Sequence, residues 1–122
     1  MSEVCRLIIP VDPNDCTPNR RRNLRGYIRA KKAHKLAAQA IWINAGRPVA
    51  DGKVRVHAVV RRGRTMDDDN VWAGLKPVRD GLFKNAITKD DGRQYVEIGT
   101  LQMETGDRWK RCPEVEIVVE AI

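Results

Sequence analysis

The sequence lacks an apolar run of the roughly 18 residues that a membrane-spanning helix needs. Its N-terminus also lacks the charged and then apolar pattern of a signal peptide, so we expect no membrane role. Cysteine is scarce, and the three residues (Cys5, Cys16 and Cys112) have no CxxC spacing. This pattern predicts neither a disulfide framework nor a zinc site, and it favours reduced thiols in a cytoplasmic protein.

Acidic residues are missing from the whole stretch between Cys16 and Ala50. A solvated helix face normally mixes charges of both signs, because i,i+4 pairs of opposite charge stabilise it. The chain as a whole has 23 Lys and Arg against 16 Asp and Glu, a formal charge of +7. A charge run can be mere soluble surface, but one of this length without acids favours contact with nucleic acid.

The order of predicted elements indicates a single domain, residues 1–122, of the α/β (α+β) class with a mixed sheet of about four strands and two helices. The periodicity of apolar residues predicts strands at 5–9, 53–60, 95–103 and 113–122, and helices at 18–44 and 70–87. We expect the first helix to bury an apolar stripe formed by Leu24, Ile28, Leu36, Ala40 and Ile43.

The second predicted helix has a clear apolar stripe: Val71, Leu75, Val78, Leu82 and Ala86. At about 100° per residue, Asp69, Lys76 and Asp80 fall together on the opposite side. Pro77 removes a backbone donor and disfavours helical geometry at Lys76, so a kink or restart is expected there.

The run Asp67-Asp68-Asp69-Asn70 is the most informative motif of the chain. Adjacent carboxylates repel each other, and a divalent metal ion, which prefers oxygen ligands, is the obvious group to hold them together. Acids that complement a helix N-terminus are the alternative explanation. A second acidic pair, Asp90-Asp91, follows the predicted helix, although Asp-Gly at 91–92 is also a common turn sequence.

The stretch from Met66 to Leu82, with Asp90-Asp91 after it, closely resembles the RusA family of Holliday-junction resolvases of phages and prophages. The shared pattern is Asp-x-Asp-Asn, a downstream Lys, Asp-x-Leu and a paired Asp. The resemblance implies that Mg²⁺ or Mn²⁺ is bound by the aspartates and that a lysine is essential for cleavage. In this chain, Asp67, Asp69, Asp90 and Asp91 match the aspartates of the pattern and would bind the metal. Lys76 matches the lysine, and Asn70 matches the asparagine that follows the second aspartate.

One spacing departs from the family pattern. The lysine of the founding type follows the second aspartate by four residues, whereas Lys76 follows Asp69 by seven and Ala73 occupies the four-residue position. Spacings of four and seven both return to the same face of a helix, so the geometry is compatible with the longer interval.

The combined features predict a metal-dependent, structure-selective DNA endonuclease in the cytoplasm of a bacterial host. The expected catalytic residues are Asp67, Asp69, Lys76 and Asp91. A four-way junction has two-fold symmetry, so we expect a C₂ homodimer, with the first helix or the C-terminal strand at the interface. The alternatives are a nuclease for flaps or other branched DNA and a non-catalytic DNA-binding protein. The residues expected to contact DNA backbone are Arg20, Arg21, Arg22, Arg25, Arg29, Lys32, Arg61, Arg62 and Arg64.

Overall fold

Four strands form one mixed sheet in the computed structural model, which describes residues 2–122 apart from the side chains at positions 19 and 21. The order across the sheet is β1-β4-β2-β3, with β4 antiparallel to both of its neighbours and β3 parallel to β2. The predicted α/β (α+β) class is therefore confirmed. The strands are β1 (Glu3–Ile9), β2 (Val54–Arg62), β3 (Val96–Thr105) and β4 (Glu114–Ala121).

Three α-helices lie between these strands: α1 (Leu24–Asn44), α2 (Asp68–Gly74) and α3 (Lys76–Phe83). The segment predicted as one helix over 70–87 is divided at Leu75, immediately before Lys76-Pro77, so the expected break is confirmed. None of the helices within residues 2–122 is long and apolar enough to cross a membrane.

The start of α1 differs from the prediction. Pro18–Arg22 forms a 3₁₀ turn, and the α-helix begins only at Leu24. Asn23 provides the N-cap, because its side-chain oxygen accepts a hydrogen bond from the Gly26 N–H at 3.1 Å. The basic run is thus spread over a turn and the first half of a helix.

The core lies between the helices and one face of the sheet. The predicted alternation in β2 is confirmed, because Val54, Val56, Ala58 and Val60 are all buried. The predicted stripe of the second helical segment is also buried at Val71, Leu75, Val78 and Leu82, while Ala86 is half-buried. This stripe fixes the orientation of α2 and α3 and therefore the direction of their polar residues.

The predicted apolar stripe of α1 is wrong. Leu24 is 60% exposed and Ile43 is 46% exposed, and Ile28, Leu36 and Ala40 are exposed as well. The buried side of α1 instead contains His34 and Ala38. The reason is the close approach of α3, since a Cβ at Gly81 would lie 3.1 Å from the Ala38 Cβ and 2.8 Å from the Lys35 carbonyl oxygen.

Candidate functional site

Lys76 is the centre of the most concentrated group of charges near the acidic motifs. It begins α3, and its ammonium lies 2.9 Å from Asp80 Oδ1, one helical turn later. The same ammonium donates to Oδ2 of Asp91, which comes from the segment between α3 and β3. Of the three residues that helical spacing predicted to lie together, Lys76 and Asp80 are side by side, whereas Asp69 belongs to α2, before the break at Leu75, and does not pair with Lys76. We call Lys76, Asp80 and Asp91 the Lys76 cluster.

The Lys76 cluster stabilises the ionised forms of Asp91 and Lys76. The hydrogen bond from Lys76 lowers the pKa of Asp91 to about 2, even though burial of this side chain, only 15% exposed, acts in the opposite direction. Burial lowers the pKa of Lys76, but its hydrogen bonds to Asp91 and Asp80 outweigh burial and the net shift is upward. The Asp91 carboxylate and the Lys76 ammonium are therefore both ionised at neutral pH.

Two further cations surround the Lys76 cluster. Lys84 Nζ lies 3.6 Å from Asp80 Oδ1. Burial lowers the pKa of Arg79, an effect that the charges of Asp91 and Asp80 partly offset. The buried Arg79 Nε has no hydrogen-bond acceptor among the residues that the structure describes. Three cations thus accompany two carboxylates, and the surplus positive charge favours the approach of an anion such as a phosphate.

The acidic triplet lies at the start of α2. Asp67 precedes the helix, and Asp68 and Asp69 form its first turn. All three are exposed, and none of them takes part in an ion pair within the described part of the chain. The positive end of the helix dipole favours acids at this place. Three carboxylates without a cationic partner nevertheless leave a local concentration of negative charge that a cation would relieve.

The predicted metal ligands do not converge in the folded chain. Over residues 2–122 there is no group of three or more His, Cys, Asp or Glu side chains arranged to hold a metal ion. The Asp91 carboxylate contacts Lys76 rather than Asp67 or Asp69, and Asp90 Oδ1 accepts the Asp91 backbone N–H at 2.8 Å. The carboxylates have the right chemistry for Mg²⁺, but their arrangement does not form a metal cage.

Most of the basic residues predicted to contact DNA are accessible, although Arg20 Nε donates to the Asn14 carbonyl oxygen at 3.3 Å. Arg20, Arg22, Arg25, Arg29 and Lys32 are exposed along the 3₁₀ turn and α1, while the side chain of Arg21 lies outside the described residues. Helix α1 packs directly against α3 at Gly81. The acid-free helix and the helix of the Lys76 cluster are therefore adjacent elements of the fold.

The basic segment after β2 is largely engaged within the chain. Arg61 contacts Glu104 at 3.1 Å, Glu114 at 2.8 Å and Glu116 at 2.7 Å. Arg62 Nε donates to Asp12 Oδ1 at 3.1 Å, which ties β2 to the segment after β1. Among the three arginines predicted to contact DNA here, Arg64 is the exposed one.

Sequence reasoning missed the contributions of Arg79 and Lys84. Helical spacing places Asp80 on the side of Lys76 but indicates no role for it. The signal for Lys84 was available, because it follows Asp80 by four residues on the same helical segment. It also missed the buried contact between Cys16 Sγ and His34 Nδ1 at 3.4 Å, since the two residues come from different elements.

No protein-family model matches the chain, and no curated protein matches it either.

Proposed function

We propose that the chain is a structure-selective DNA endonuclease that resolves Holliday junctions. The observation that carries the proposal is the Lys76 cluster, which joins α3 to the segment containing Asp91 and lies on a helix packed against the cationic helix α1. The resemblance of residues 66–91 to the RusA family supports the choice of reaction and the dependence on Mg²⁺ or Mn²⁺. The proposed setting is the cytoplasm of a bacterial host, in a phage- or prophage-encoded homodimer.

Lys76 is assigned the role of stabilising negative charge on the phosphate during cleavage. Because its ammonium is paired with Asp80 and Asp91 in the free chain, it must exchange one of these contacts for the phosphate when DNA binds. Asp67 and Asp69 are assigned to cation binding together with Asp90 and Asp91. These acids are not grouped in the free chain, so the proposal requires them to approach one another in the complex with DNA.

Helix α1 is assigned the role of holding DNA backbone. Its exposed basic residues have no acidic neighbour in the sequence between Cys16 and Ala50, so phosphates can provide the compensating charge. Arg25→Gln and Arg29→Gln are each expected to weaken binding for all DNA sequences alike and to reduce the salt slope of the binding constant by about 1.

The test is a cleavage assay with labelled four-way junctions, flaps and linear duplexes, with Mg²⁺, Mn²⁺ or EDTA. We expect paired symmetric cuts confined to the four-way junction and dependent on metal. Lys76→Met should lower the rate about 10²–10³-fold without weakening DNA binding, and Lys89→Met is the matched control because Lys89 is an exposed lysine outside the cluster. Cuts in flaps rather than in four-way junctions would instead favour the branched-DNA nuclease.

A non-catalytic DNA-binding protein is the second candidate. The observation in its favour is that the acids at 67–69 and 90–91 do not form a group able to hold a metal within the described residues. Asp69→Asn separates the two candidates. Loss of metal-dependent cleavage in this variant supports the nuclease, whereas tight junction binding without cleavage by the unmodified protein supports the binding protein.

A further inference from the structure

Strand β3 is an edge strand with an unusually exposed free side. The sheet order places it at one end, where β2 is its sole strand neighbour within residues 2–122. It is ten residues long, and most of these residues are exposed. A long free edge presents unpaired backbone N–H and C=O groups, which readily pair with another strand.

The sequence of β3 lacks the lysine and proline that most often prevent such pairing, and its protection is limited to two glutamates and the irregularity opposite Val56 and Ala58. Natural sheets place lysine or proline on their edge strands to prevent association, and residues 96–105 contain neither. The opposite edge, β1, is shorter at seven residues, carries Arg6 in its centre and is followed at once by Pro10. Of the two edges, β3 is therefore the one open to a partner strand.

Charge also favours β3 over other surfaces for self-association. Its charged residues are Glu97, which lies 3.1 Å from Arg55, and Glu104, which lies 3.1 Å from Arg61. Each glutamate contacts an arginine of β2. These arginines are shared with other acids, Arg55 with Glu120 and Arg61 with Glu114 and Glu116, so this edge has no excess of positive charge in a chain of charge +7. Two copies can approach here without the repulsion between like charges that much of this basic protein would produce.

The two interfaces expected from the sequence are less suitable. The exposed apolar residues of α1 alternate with Arg25, Arg29 and Lys32, so two copies meeting there would bring cations together. The C-terminal strand β4 is paired on both sides, with β1 and with β2, and has no free edge.

We propose that β3 pairs antiparallel with β3 of a second copy of this chain and continues the sheet across a two-fold axis. The inference rests on the homodimer in the proposed function and names its surface. The pairing of β2 with β3 is irregular between Val56 and Ala58, and this irregularity interrupts the alternation of the β3 side chains opposite these two residues. The regular part of β3 that remains for pairing with the second copy therefore lies after this point. Pairing of residues 101–105, centred on Met103, keeps the alternation intact and places Glu104 opposite Gln102 of the second copy rather than opposite another acid.

This arrangement leaves the exposed basic residues of α1 outside the interface. Leu101 and Met103, which are partly buried against the core, would continue the apolar layer from one copy to the other. A dimer built on this edge has two Lys76 clusters, one in each copy, as two symmetric cuts require.

The test measures association without DNA or cleavage, so its outcome is independent of the enzymatic activity. Sedimentation equilibrium of the full chain should give twice the mass of 13.8 kDa. Gln102→Lys places a cation on the exposed edge and should raise the dimer dissociation constant at least tenfold, with an unchanged circular dichroism spectrum. Lys53→Gln, at an exposed position outside β3, is the control and should leave association unchanged.

Cross-linking tests the register. In a Cys112→Ser background, which removes the exposed native thiol, Met103→Cys should form an interchain disulfide, because residues directly opposite in antiparallel strands have Cα atoms about 4.5–5.5 Å apart. Ile43→Cys, on the exposed side of α1, should not. A monomer at all concentrations, a dimer insensitive to Gln102→Lys, or cross-linking at position 43 instead of 103 would each overturn the proposal.

Discussion

Lys76 and Asp91 lie fifteen residues apart in sequence, yet the ammonium of Lys76 donates directly to the carboxylate of Asp91. This contact attaches the start of α3 to the segment that leads into β3. Asp80 contacts the same ammonium, so one lysine links two carboxylates from different parts of the chain. The Lys76 side chain is 46% exposed, so solvent weakens its contact with Asp91.

The first prediction is that Lys76 and Asp91 are energetically coupled. A double-mutant cycle with Lys76→Met and Asp91→Asn should give a coupling free energy of about 0.5–1 kcal/mol, because the pair is partly shielded from water. Urea unfolding of the four proteins measures it. Lys32→Met with Asp91→Asn is the control cycle and should be additive within about 0.3 kcal/mol, because Lys32 is an exposed lysine of α1 that does not pair with Asp91. Additivity in the first cycle as well would contradict the prediction.

The second prediction concerns the close approach of α2 to the 3₁₀ turn Pro13–Cys16. A Cβ at Gly74 would lie 2.1 Å from the Pro13 carbonyl oxygen, which is backbone and cannot move aside without shifting the turn. Gly74→Ala should therefore lower the free energy of unfolding by about 2–3 kcal/mol. Gly92→Ala is the control, because nothing lies within 4 Å of its added Cβ, and it should change stability by less than about 0.5 kcal/mol.

The order of the secondary-structure elements could be predicted because it depends on local features. The alternation in β2 and the spacing of Val71, Leu75, Val78 and Leu82 each reflect one buried face. Pro77 acts on its own neighbours, so the division between α2 and α3 was also visible in the sequence.

The buried side of α1 could not be predicted in the same way. At Gly81, far along the chain, α3 approaches α1 so closely that the facing position of α1 requires a small side chain. Ala38 meets that requirement, whereas Leu36 and Ile43 do not and lie outside. The partners of Arg61 were hidden for a similar reason, because Glu104 and Glu116 belong to two other strands that only the sheet order brings beside it.

The third prediction is a pH dependence of stability that comes from His34. This residue is buried beside Cys16 and lies 3.6 Å from Asp15 Oδ2. Burial lowers its pKa from 6.5, although the charge of Asp15 acts in the opposite direction. The unfolded chain therefore binds a proton at a higher pH than the folded chain does. The stability associated with neutral His34 is complete above pH 6.5 and decreases as the pH falls below that value.

Urea unfolding at several pH values between about 7.5 and 5.5 measures this effect, in a range above the titration of most carboxylates. His34→Asn should have a flatter dependence of the unfolding free energy on pH than the unmodified protein. His57→Asn is the matched control, because a change at the other histidine leaves the contribution of His34 in place. Equal slopes for the unmodified protein and His34→Asn would show that His34 titrates alike in both states.

The fourth prediction separates a structural arginine from one available to DNA. The Arg61 side chain is 16% exposed, and its hydrogen bond to Glu116 is the main cause of its raised pKa. Arg61→Gln removes the cation shared by three glutamates, so the free energy of unfolding should fall by about 2–3 kcal/mol. Arg64→Gln should change stability by less than about 0.5 kcal/mol, since Arg64 is exposed.

Measurements of DNA binding complete the comparison. Arg64→Gln should weaken DNA binding and reduce the salt slope of the binding constant by about 1. The variant makes one phosphate contact fewer, so its binding releases fewer counterions from the DNA. Arg61→Gln should leave the salt slope unchanged under conditions in which the variant is folded, because its guanidinium already neutralises carboxylates of its own chain. A reduced slope for Arg61→Gln, together with an unchanged free energy of unfolding, would assign Arg61 to the DNA surface and refute its structural role in the sheet.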